Sequence, residues 1–538
     1  MRTGGDFLTT PAGKIEVFSP ENFSEIHREF ADTAEDFAVN EIRTKRDEIE
    51  QFDRDLTRKL MKMCGDLGFL AADIPEEYGG LSAGKVTAAI LVEKISRGES
   101  ESFTVTFSVH TGIGILPIVY FGSSEQKRNI LPKLASGEWL SAYALTEAGA
   151  GSDALALRTQ ARLTEDKTHY ILSGNKQFIS NGQWADILIT FARINDEQIT
   201  GFLIDPHSSG ITIHEEKNKL GLHGSSTCNI VLDNVRVPAD HVLGEPGEGA
   251  KIAFNSLDIG RFKLGAAVLG GCKNILERAI RYSLERRQFG QAVARFDAMK
   301  KKTAEMLIGI YALESIIYET ARCLDLSLET VDEQSSGYSG QAAAAIEKFA
   351  IECSICKIVG SETYWHIADE GLQMLGGYGY IEDYGIAGML RDTRVDRIYE
   401  GTNEINRQVI VGYFLKKTLL EELPVREKIN HIKSSGKFNF TEFEGKPLEN
   451  EKKSLEAAKN LFFYLFNTGL VRYGQDLMSH QQITEMFSDM MSDIFLIQTT
   501  LARIEQQLQG EQDKDILFSV IRVMISEKMV EFYGKAQL

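Results

Sequence analysis

The chain has 538 residues, of which 43% are hydrophobic and 25% are charged, and its formal net charge is -18. This composition is typical of a folded globular protein with several domains and excludes a disordered or collagen-like chain. Because no long basic run interrupts this negative charge, we do not expect nucleic acid as a partner.

The six cysteines are too few and too scattered for a disulfide framework, which indicates a reducing compartment. Cys353 and Cys356 form one C-x-x-C pair without a second pair, so two buried helix cysteines are favoured over a redox or zinc site. No metal site is expected. The stretch MRTGGDFLTTPAGK lacks the apolar core of a signal peptide, and no run of 18 apolar residues occurs, which disfavours secretion and membrane spanning.

The elements of the first half fall into two segments. From about residue 20 to 140, apolar residues such as Leu56, Leu60 and Leu67 recur at helical spacing, which predicts a helical N-terminal domain. Between 141 and 245 the pattern changes to short apolar runs such as HYILSG and DILITFAR, separated by Gly, Asn and Asp. This pattern predicts a compact β middle domain.

Helical periodicity returns from about 246 to 415, in apolar stripes long enough for antiparallel bundle helices. Residues 416–538 begin with a polar linker and continue as an appended helical domain. Its segment LFFYLFNTGLV, 461–471, is too short to span a bilayer, so burial against another helix or subunit is favoured over peripheral membrane contact. The predicted fold is therefore mostly α with a central β domain.

Two common nucleotide-binding signatures are excluded first. The stretch GGLSAGKV, 79–86, imitates a phosphate-binding loop, but Val86 replaces the hydroxyl residue that holds magnesium and no strand precedes it. No G-x-G-x-x-G follows a predicted strand either. A nicotinamide-binding Rossmann domain is therefore not supported.

Five small-polar or glycine-rich segments remain, each of which alone is a turn or a helix end: ALTEAGAGSD (144–153), FISNG (178–182), RRQFG (286–290), QMLGGYG (373–379) and RIYEGTNEINR (397–407). Their order across a helical, a β and a helical-bundle segment resembles the acyl-CoA dehydrogenase family over roughly residues 20 to 415. The extra helical segment at 416–538 is most similar to the very-long-chain branch of that family.

The resemblance implies a barrel-like β middle domain, a four-helix bundle at 246–415 and FAD as the cofactor. It places the first two motifs around the flavin ring and places Arg286, Phe289 and Gln373 against the FAD of a second subunit, so a homodimer or a dimer of dimers is expected. The residues that it assigns to FAD are Tyr143, Leu145, Thr146, Phe178, Ser180, Arg286, Phe289, Gln373, Gly376, Gly377, Thr402 and Glu404.

The resemblance also implies the reaction and its base. In the family, an α-hydrogen of a long-chain acyl-CoA leaves as a proton and a β-hydrogen leaves as hydride to flavin N5, which gives the trans-2-enoyl-CoA of fatty-acid β-oxidation. The family's base matches Glu400, because the alternative position used by some relatives is Gly260 in this chain. Residues assigned to the substrate are Ser152, Asp258, Arg261, Tyr399 and Gly401, with a structural ion pair as the alternative for Arg261.

A glutamate has an ordinary pKa of about 4.3, which suits a carbon acid poorly, so we expect burial to raise the pKa of Glu400. Two positions depart from the family: Ala148 stands where proline is usual, and Phe178 stands where tryptophan is usual. An electron-transfer flavoprotein is the expected partner, and the location is cytoplasmic in a bacterium or the mitochondrial matrix in a eukaryote. A flavin acyl-CoA oxidase and a non-catalytic scaffold protein remain the alternatives.

Overall fold

The computed structural model describes residues 3–537 except 196, 333, 334, 336, 436–442, 446 and 511–513. The N-terminal helices begin with polar caps; for example, the Ser24 hydroxyl accepts a hydrogen bond from the His27 N–H, and the Ser123 hydroxyl accepts one from the Gln126 N–H. The helices are α1 (Glu25–Phe37), α2 (Arg46–Glu50), α3 (Arg54–Asp66), α4 (Gly84–Ser96), α5 (Glu101–Val109), α6 (Leu116–Phe121) and α7 (Ser124–Ala135).

Helices α4, α5 and α6 are buried on most sides and form the centre of this helical layer. A π-helical turn, His110–Gly114, joins α5 to α6. Within the described part of the chain, the run Glu101–Phe121 is long and apolar enough to cross a membrane, but 89% of its apolar window is buried inside the molecule. That burial is typical of a core helix.

The middle of the chain forms one sheet with the strand order β6-β7-β3-β2-β4-β5-β8, and β1 pairs in parallel with β4. The long strands β3 and β7 pair antiparallel, and alternate residues such as Leu172 and Ile230 point into the sheet's own core. The strands are β1 (Ser141–Ala144), β2 (Gln160–Leu163), β3 (His169–Ser180), β4 (Ile187–Ile194), β5 (Gln198–Ile204), β6 (Ile211–Glu215), β7 (Thr227–Pro238) and β8 (Val242–Leu243).

A helical bundle follows the sheet. Its central pair, α8 and α11, packs closely because Gly265 and Gly360 face each other; a Cβ at Gly360 would lie 3.1 Å from the Cα of Gly265. Cys353 and Cys356 lie buried and unbridged on α11, as predicted. The elements are α8 (Gly249–Glu285), the two-stranded β9 (Arg287–Gln288) and β10 (Gln291–Ala292), α9 (Asp297–Leu328), α10 (Tyr338–Glu347), α11 (Ala350–Leu375), α12 (Ile386–Thr393) and α13 (Asn403–Leu419).

The appended segment is helical, as predicted, and consists of α14 (Val425–Ser435), α15 (Glu449–Tyr473), α16 (Gln481–Gln507) and α17 (Lys514–Ala536). Phe462 and Phe466 of α15 contact Phe414 of α13 with ring centroids 5.6 and 4.9 Å apart, so this part of the apolar stretch is buried against the bundle. Tyr464 and Val471 of the same stretch are exposed.

The first twenty residues tie the appended helices to the bundle, which the sequence did not indicate. The Phe7 ring lies 4.7 Å from that of Phe495 on α16, and the Ala12 N–H donates to Glu456 on α15 at 2.8 Å. The Gly5 N–H donates to Glu352 on α11 at 2.6 Å. Overall, the predicted fold class, mostly α with a central β domain, is confirmed.

Candidate active site

Glu400 occupies a strained turn between α12 and α13. Its φ is +56° and that of Gly401 is +80°, and Thr402 then caps α13 by accepting a hydrogen bond from the Ile405 N–H at 3.3 Å. A left-handed conformation is unfavourable for a glutamate, and such strain concentrates at functional sites. The turn is therefore held by its surroundings.

Hydrogen bonds to its carbonyl oxygens fix this turn. Asn406 Nδ2 donates to the carbonyls of Glu400 at 3.3 Å and of Gly401 at 2.8 Å. Arg261 Nε, from α8, donates to the Glu400 carbonyl at 3.3 Å. The backbone of residue 400 is thus anchored from two helices, and its carboxyl takes no part in the anchoring.

The Glu400 side chain is half-buried, with one carboxyl oxygen enclosed by protein. Its Oε2 atom is buried and has no hydrogen-bond partner among the described residues. It packs directly on α8, where a Cβ added to Gly260 would lie 2.5 Å from Oε2. Burial raises the pKa of Glu400 to about 7, although the charges of Arg261 and Lys357 oppose the rise. The expected shift of this pKa is therefore present.

Asp258 and Arg261 form a buried ion pair, with Oδ1 and Nη1 2.8 Å apart, beneath the turn. Burial raises the pKa of Asp258 to about 6 despite this arginine. Their predicted contact with the CoA group stays a prediction. Arg261 also has a structural role, the alternative to substrate binding that the sequence left open. It pairs with Asp258, and its Nε donates to the Glu400 carbonyl.

Two tyrosines flank the carboxyl. Tyr143 on β1 is buried and donates to the Ala253 carbonyl at 3.3 Å, and its pKa is raised by burial and by the nearby Glu400. Tyr399 donates to Asp396 Oδ1 at 2.5 Å, which turns its hydroxyl away from solvent. Both phenols are therefore neutral at ordinary pH.

The predicted flavin loop, the segment that follows β1, lies beside the end of β3. The Gln177 N–H donates to the Thr146 carbonyl at 2.9 Å, which joins the segment after β1 to the end of β3. Phe178 has φ +58° and is 58% exposed, and Ser180 is half-buried two residues later. Thr146, Phe178 and Ser180 thus lie on one part of the surface.

Two residues behind this loop were missed by the sequence reasoning. Lys176 Nζ lies buried, 2.7 Å from Glu147 Oε1, and donates to the Leu145 carbonyl at 3.1 Å. Glu147 also accepts hydrogen bonds from the N–H groups of Arg158 and Thr159. This buried pair fixes the loop. Its only sequence signal was a glutamate next to the predicted contact residue Thr146.

The remaining predicted contacts lie on the surface. The Arg286 guanidinium lies over the Tyr378 ring, 5.5 Å from its centroid, and the Phe289 side chain is 95% exposed. The residues just before Tyr378 in the sequence, Gln373, Gly376 and Gly377, are also exposed. Ser152 and Glu404 are exposed too. The side-chain contacts of Arg286 and Phe289 are with Tyr378 and Phe296 rather than with Glu400, so within one chain the two groups are separate.

Comparison with known proteins decides the family. The family models for the N-terminal, middle and C-terminal domains of acyl-CoA dehydrogenase match residues 24–138, 142–235 and 247–412. The chain belongs to the acyl-CoA dehydrogenase family.

Its similarity to individual members extends over the whole chain. A probable acyl-CoA dehydrogenase of Bacillus subtilis is 37% identical over 100% of this chain and 91% of its own length. A crystal structure of an acyl-CoA dehydrogenase complexed with FAD from Bacillus anthracis superposes with a TM-score of 0.95 at 39% identity, covering 100% of this chain and 91% of that one. The human mitochondrial very long-chain specific enzyme is 37% identical over 64% of this chain and 51% of its own.

The surface of this family member fits a flat aromatic cofactor. Phe178 presents an exposed ring, and its backbone has the positive φ of the left-handed region, which is unusual within a strand. A Cβ at Gly149, Gly151, Gly376 or Gly377 would meet no atom within 4 Å, so backbone is open to close approach at both predicted FAD segments. Among the described residues no group of three or more His, Cys, Asp or Glu side chains could hold a metal ion.

Proposed function

We propose that this chain is an FAD-dependent acyl-CoA dehydrogenase that converts an acyl-CoA to its trans-2-enoyl-CoA with Glu400 as the base. The observation that carries the proposal is the state of the Glu400 carboxyl, whose Oε2 is buried without a hydrogen-bond partner among the described residues and whose pKa is raised to about 7. Such a carboxylate accepts a proton from carbon more readily than a fully solvated one, because its higher pKa makes it a stronger base.

The chain also provides a group that acidifies the substrate. The N–H of Glu400 makes no hydrogen bond within the described part of the chain, while the carbonyl of the same residue is held by Arg261 and Asn406. It can therefore donate to the thioester oxygen, whose negative charge grows as the α-proton leaves. Base and donor belong to one residue, so one anchored turn positions both.

The walls of the site exclude water. Tyr143 is buried beside the carboxyl, and Ile113 Cγ2 lies 3.1 Å from where a Cβ of Gly260 would be. When bound, FAD supplies the acceptor for the β-hydrogen, which leaves as hydride. We propose that the segments around Thr146 and Phe178 hold the flavin ring and that Arg286 binds a phosphate of the cofactor as a charged donor.

The finer parts of the proposal concern substrate and assembly. Likeness to the human very long-chain specific enzyme supports a long-chain acyl-CoA as the substrate. We propose a role in fatty-acid β-oxidation with an electron-transfer flavoprotein as the acceptor. The near-complete exposure of Phe289, close to the exposed Arg286, leaves both side chains available to a second subunit at that surface. We propose a homodimer in which Arg286 and Phe289 serve the neighbouring subunit's FAD.

An anaerobic titration of the purified yellow protein tests this function. Acyl-CoA thioesters from short to very long chains are added, and loss of flavin absorbance is followed together with enoyl-CoA formation. We expect bleaching by saturated acyl-CoA, fastest with long chains. The reduced protein is then mixed with air; slow reoxidation supports the dehydrogenase, whereas rapid peroxide formation identifies an oxidase. Absence of bleaching with every thioester would refute the proposed function.

A further inference from the structure

Lys357 on α11 differs from the other buried lysines of this chain. Among the described residues, six buried lysines have a carboxylate oxygen within 4.0 Å: Lys85, Lys176, Lys263, Lys417, Lys452 and Lys459. Lys357 is fully buried and, within the described part of the chain, bonds an amide oxygen instead of a carboxylate. A buried ammonium without an ion pair is costly, which calls for a reason specific to this place.

The one side-chain partner of Lys357 among the described residues leads to the base. Its Nζ donates to Asn403 Oδ1 at 2.7 Å. Asn403 is the first residue of α13, three positions after Glu400, and its Nδ2 donates to Ser361 Oγ at 3.0 Å and to Glu362 Oε1 at 2.8 Å. The lysine therefore anchors the end of the strained turn from α11, opposite to the anchor that Arg261 provides from α8.

Two carboxyl groups lie near this lysine at more than ion-pair distance. Burial lowers the pKa of Lys357 to about 7, and the charges of Asp396 and, more weakly, Glu400 oppose that shift. Asp396 accepts hydrogen bonds from the hydroxyls of Tyr399 and Thr393. Glu400 Oε2 has no hydrogen-bond partner among the described residues, so its ionised form depends more on nearby positive charge than that of Asp396 does.

The other charge near Glu400 is already neutralised. Arg261 raises the ionised fraction of Glu400 most, yet its guanidinium is paired with Asp258 at 2.8 Å. The titratable groups whose charges interact with Glu400 or Lys357 come from several elements. They are Arg261 on α8, Tyr143 on β1, Asp396 and Tyr399 before the turn, and Glu404 on α13. Lys357 is the cation of this described set without a carboxylate of its own.

We propose that Lys357 is a positioning residue for the base: its bond to Asn403 fixes the turn that carries Glu400, and its ammonium, while it holds its proton, favours the ionised form of the Glu400 carboxyl. This inference rests on the proposed role of Glu400. Removing the positive charge makes ionisation of Glu400 harder, so the pH at which this carboxyl loses its proton rises.

The test follows the protonation of Glu400 in the FAD-loaded enzyme without substrate. Infrared difference spectra are recorded against pH, and the Glu400 band is assigned as the one lost in Glu400→Gln. Lys357→Gln removes the charge but keeps a donor for Asn403, and we expect the Glu400 titration to move up by about 1 pH unit. Asn403→Ala keeps the charge, so we expect a smaller shift with slower flavin bleaching.

Lys459→Met is the matched control, because Lys459 is also a buried lysine but its contacts do not involve the Glu400 turn. It donates to the Thr10 carbonyl and pairs with Glu456. It should lower stability and leave the Glu400 titration in place. An unchanged titration in Lys357→Gln, or an equal shift in Lys459→Met, would overturn the proposal. If Lys357→Gln does not fold, Lys357→Arg replaces it: the charge remains, so a titration as in the wild type is expected and an upward shift of about 1 unit contradicts the proposal.

Failure of this inference is distinguishable from failure of the proposed function. If Glu400→Gln still bleaches normally with acyl-CoA, Glu400 is not the base and the function fails. If Glu400→Gln is inactive but Lys357→Gln leaves the pH profile of bleaching and the infrared titration unchanged, the base stands and the role of Lys357 does not.

Discussion

Gly260 and Glu400 lie far apart in the sequence, yet the carboxyl of one occupies the space where a side chain of the other would begin. A Cβ at residue 260 would lie 2.5 Å from Glu400 Oε2 and 2.9 Å from its Cδ. The resemblance to the family predicts the catalytic base at one or the other of these two positions. In this chain the glycine makes room for the glutamate, so the two positions share one site.

Gly260→Ala should therefore displace the base. Because the new methyl group would be closer than any ordinary contact, the Glu400 carboxyl must turn away, and a misplacement near 1 Å costs on the order of 100-fold in rate. We expect anaerobic flavin bleaching to slow by about tenfold or more with FAD still bound. Gly412→Ala on α13 is the control, since its Cβ would lie 3.7 Å from Met478 Cε. Equal rates in the two variants would show that a methyl group at residue 260 does not move the carboxyl.

The pH dependence of the reductive step should report Glu400. Burial raises its pKa to about 7, so the carboxylate that accepts the proton is depleted below that pH. We expect the bleaching rate to increase with pH through about 7 and to level off above it. Stopped-flow measurements at acyl-CoA concentrations well below saturation, where the second-order rate reports the free enzyme, test this. A rate that stays flat or falls as the pH rises from about 5.5 to about 8 contradicts the assignment.

Arg286→Ala should weaken FAD retention. The guanidinium is exposed and rests on the Tyr378 ring, so no buried ion pair is lost, and the expected effect is on cofactor binding. Repeated dilution and gel filtration measure the FAD that remains bound, and we expect clearly less than in the wild type. Arg281→Ala, which removes another exposed arginine paired with Glu277 on α8, should retain FAD fully. Similar occupancy in both variants removes Arg286 from the site.

Glu352 should make stability depend on pH. Burial raises its pKa from 4.5 to about 7, and Gly5 donates to it from the N-terminal segment. Since the folded state holds the proton more tightly, its contribution is fully present below about 4.5 and is lost as pH rises through about 7. The loss is at most about 3 kcal/mol. Glu352→Gln should flatten the fall in melting temperature between these pH values, whereas Glu347→Gln at the surface should not.

The order of helical, β and helical segments could be predicted because each has its own periodicity, such as the alternation in β3. Glu400 could be proposed because its motif is contiguous in the sequence. Gly260 under the carboxyl, Lys357 behind Asn403 and the buried Glu147–Lys176 pair could not, since each contact depends on how separate elements pack. The N-terminal segment was left outside the first predicted domain because its partners, Glu352 and Glu456, lie far along the chain.

The most direct test of the central claim is anaerobic bleaching of Glu400→Gln. The amide has nearly the same shape as the carboxylate but cannot accept a proton from carbon. We predict yellow protein with normal FAD content and acyl-CoA binding, and no loss of flavin absorbance on the timescale of the wild type. Bleaching of the variant at the wild-type rate would show that another group takes the α-proton and that Glu400 is not the base.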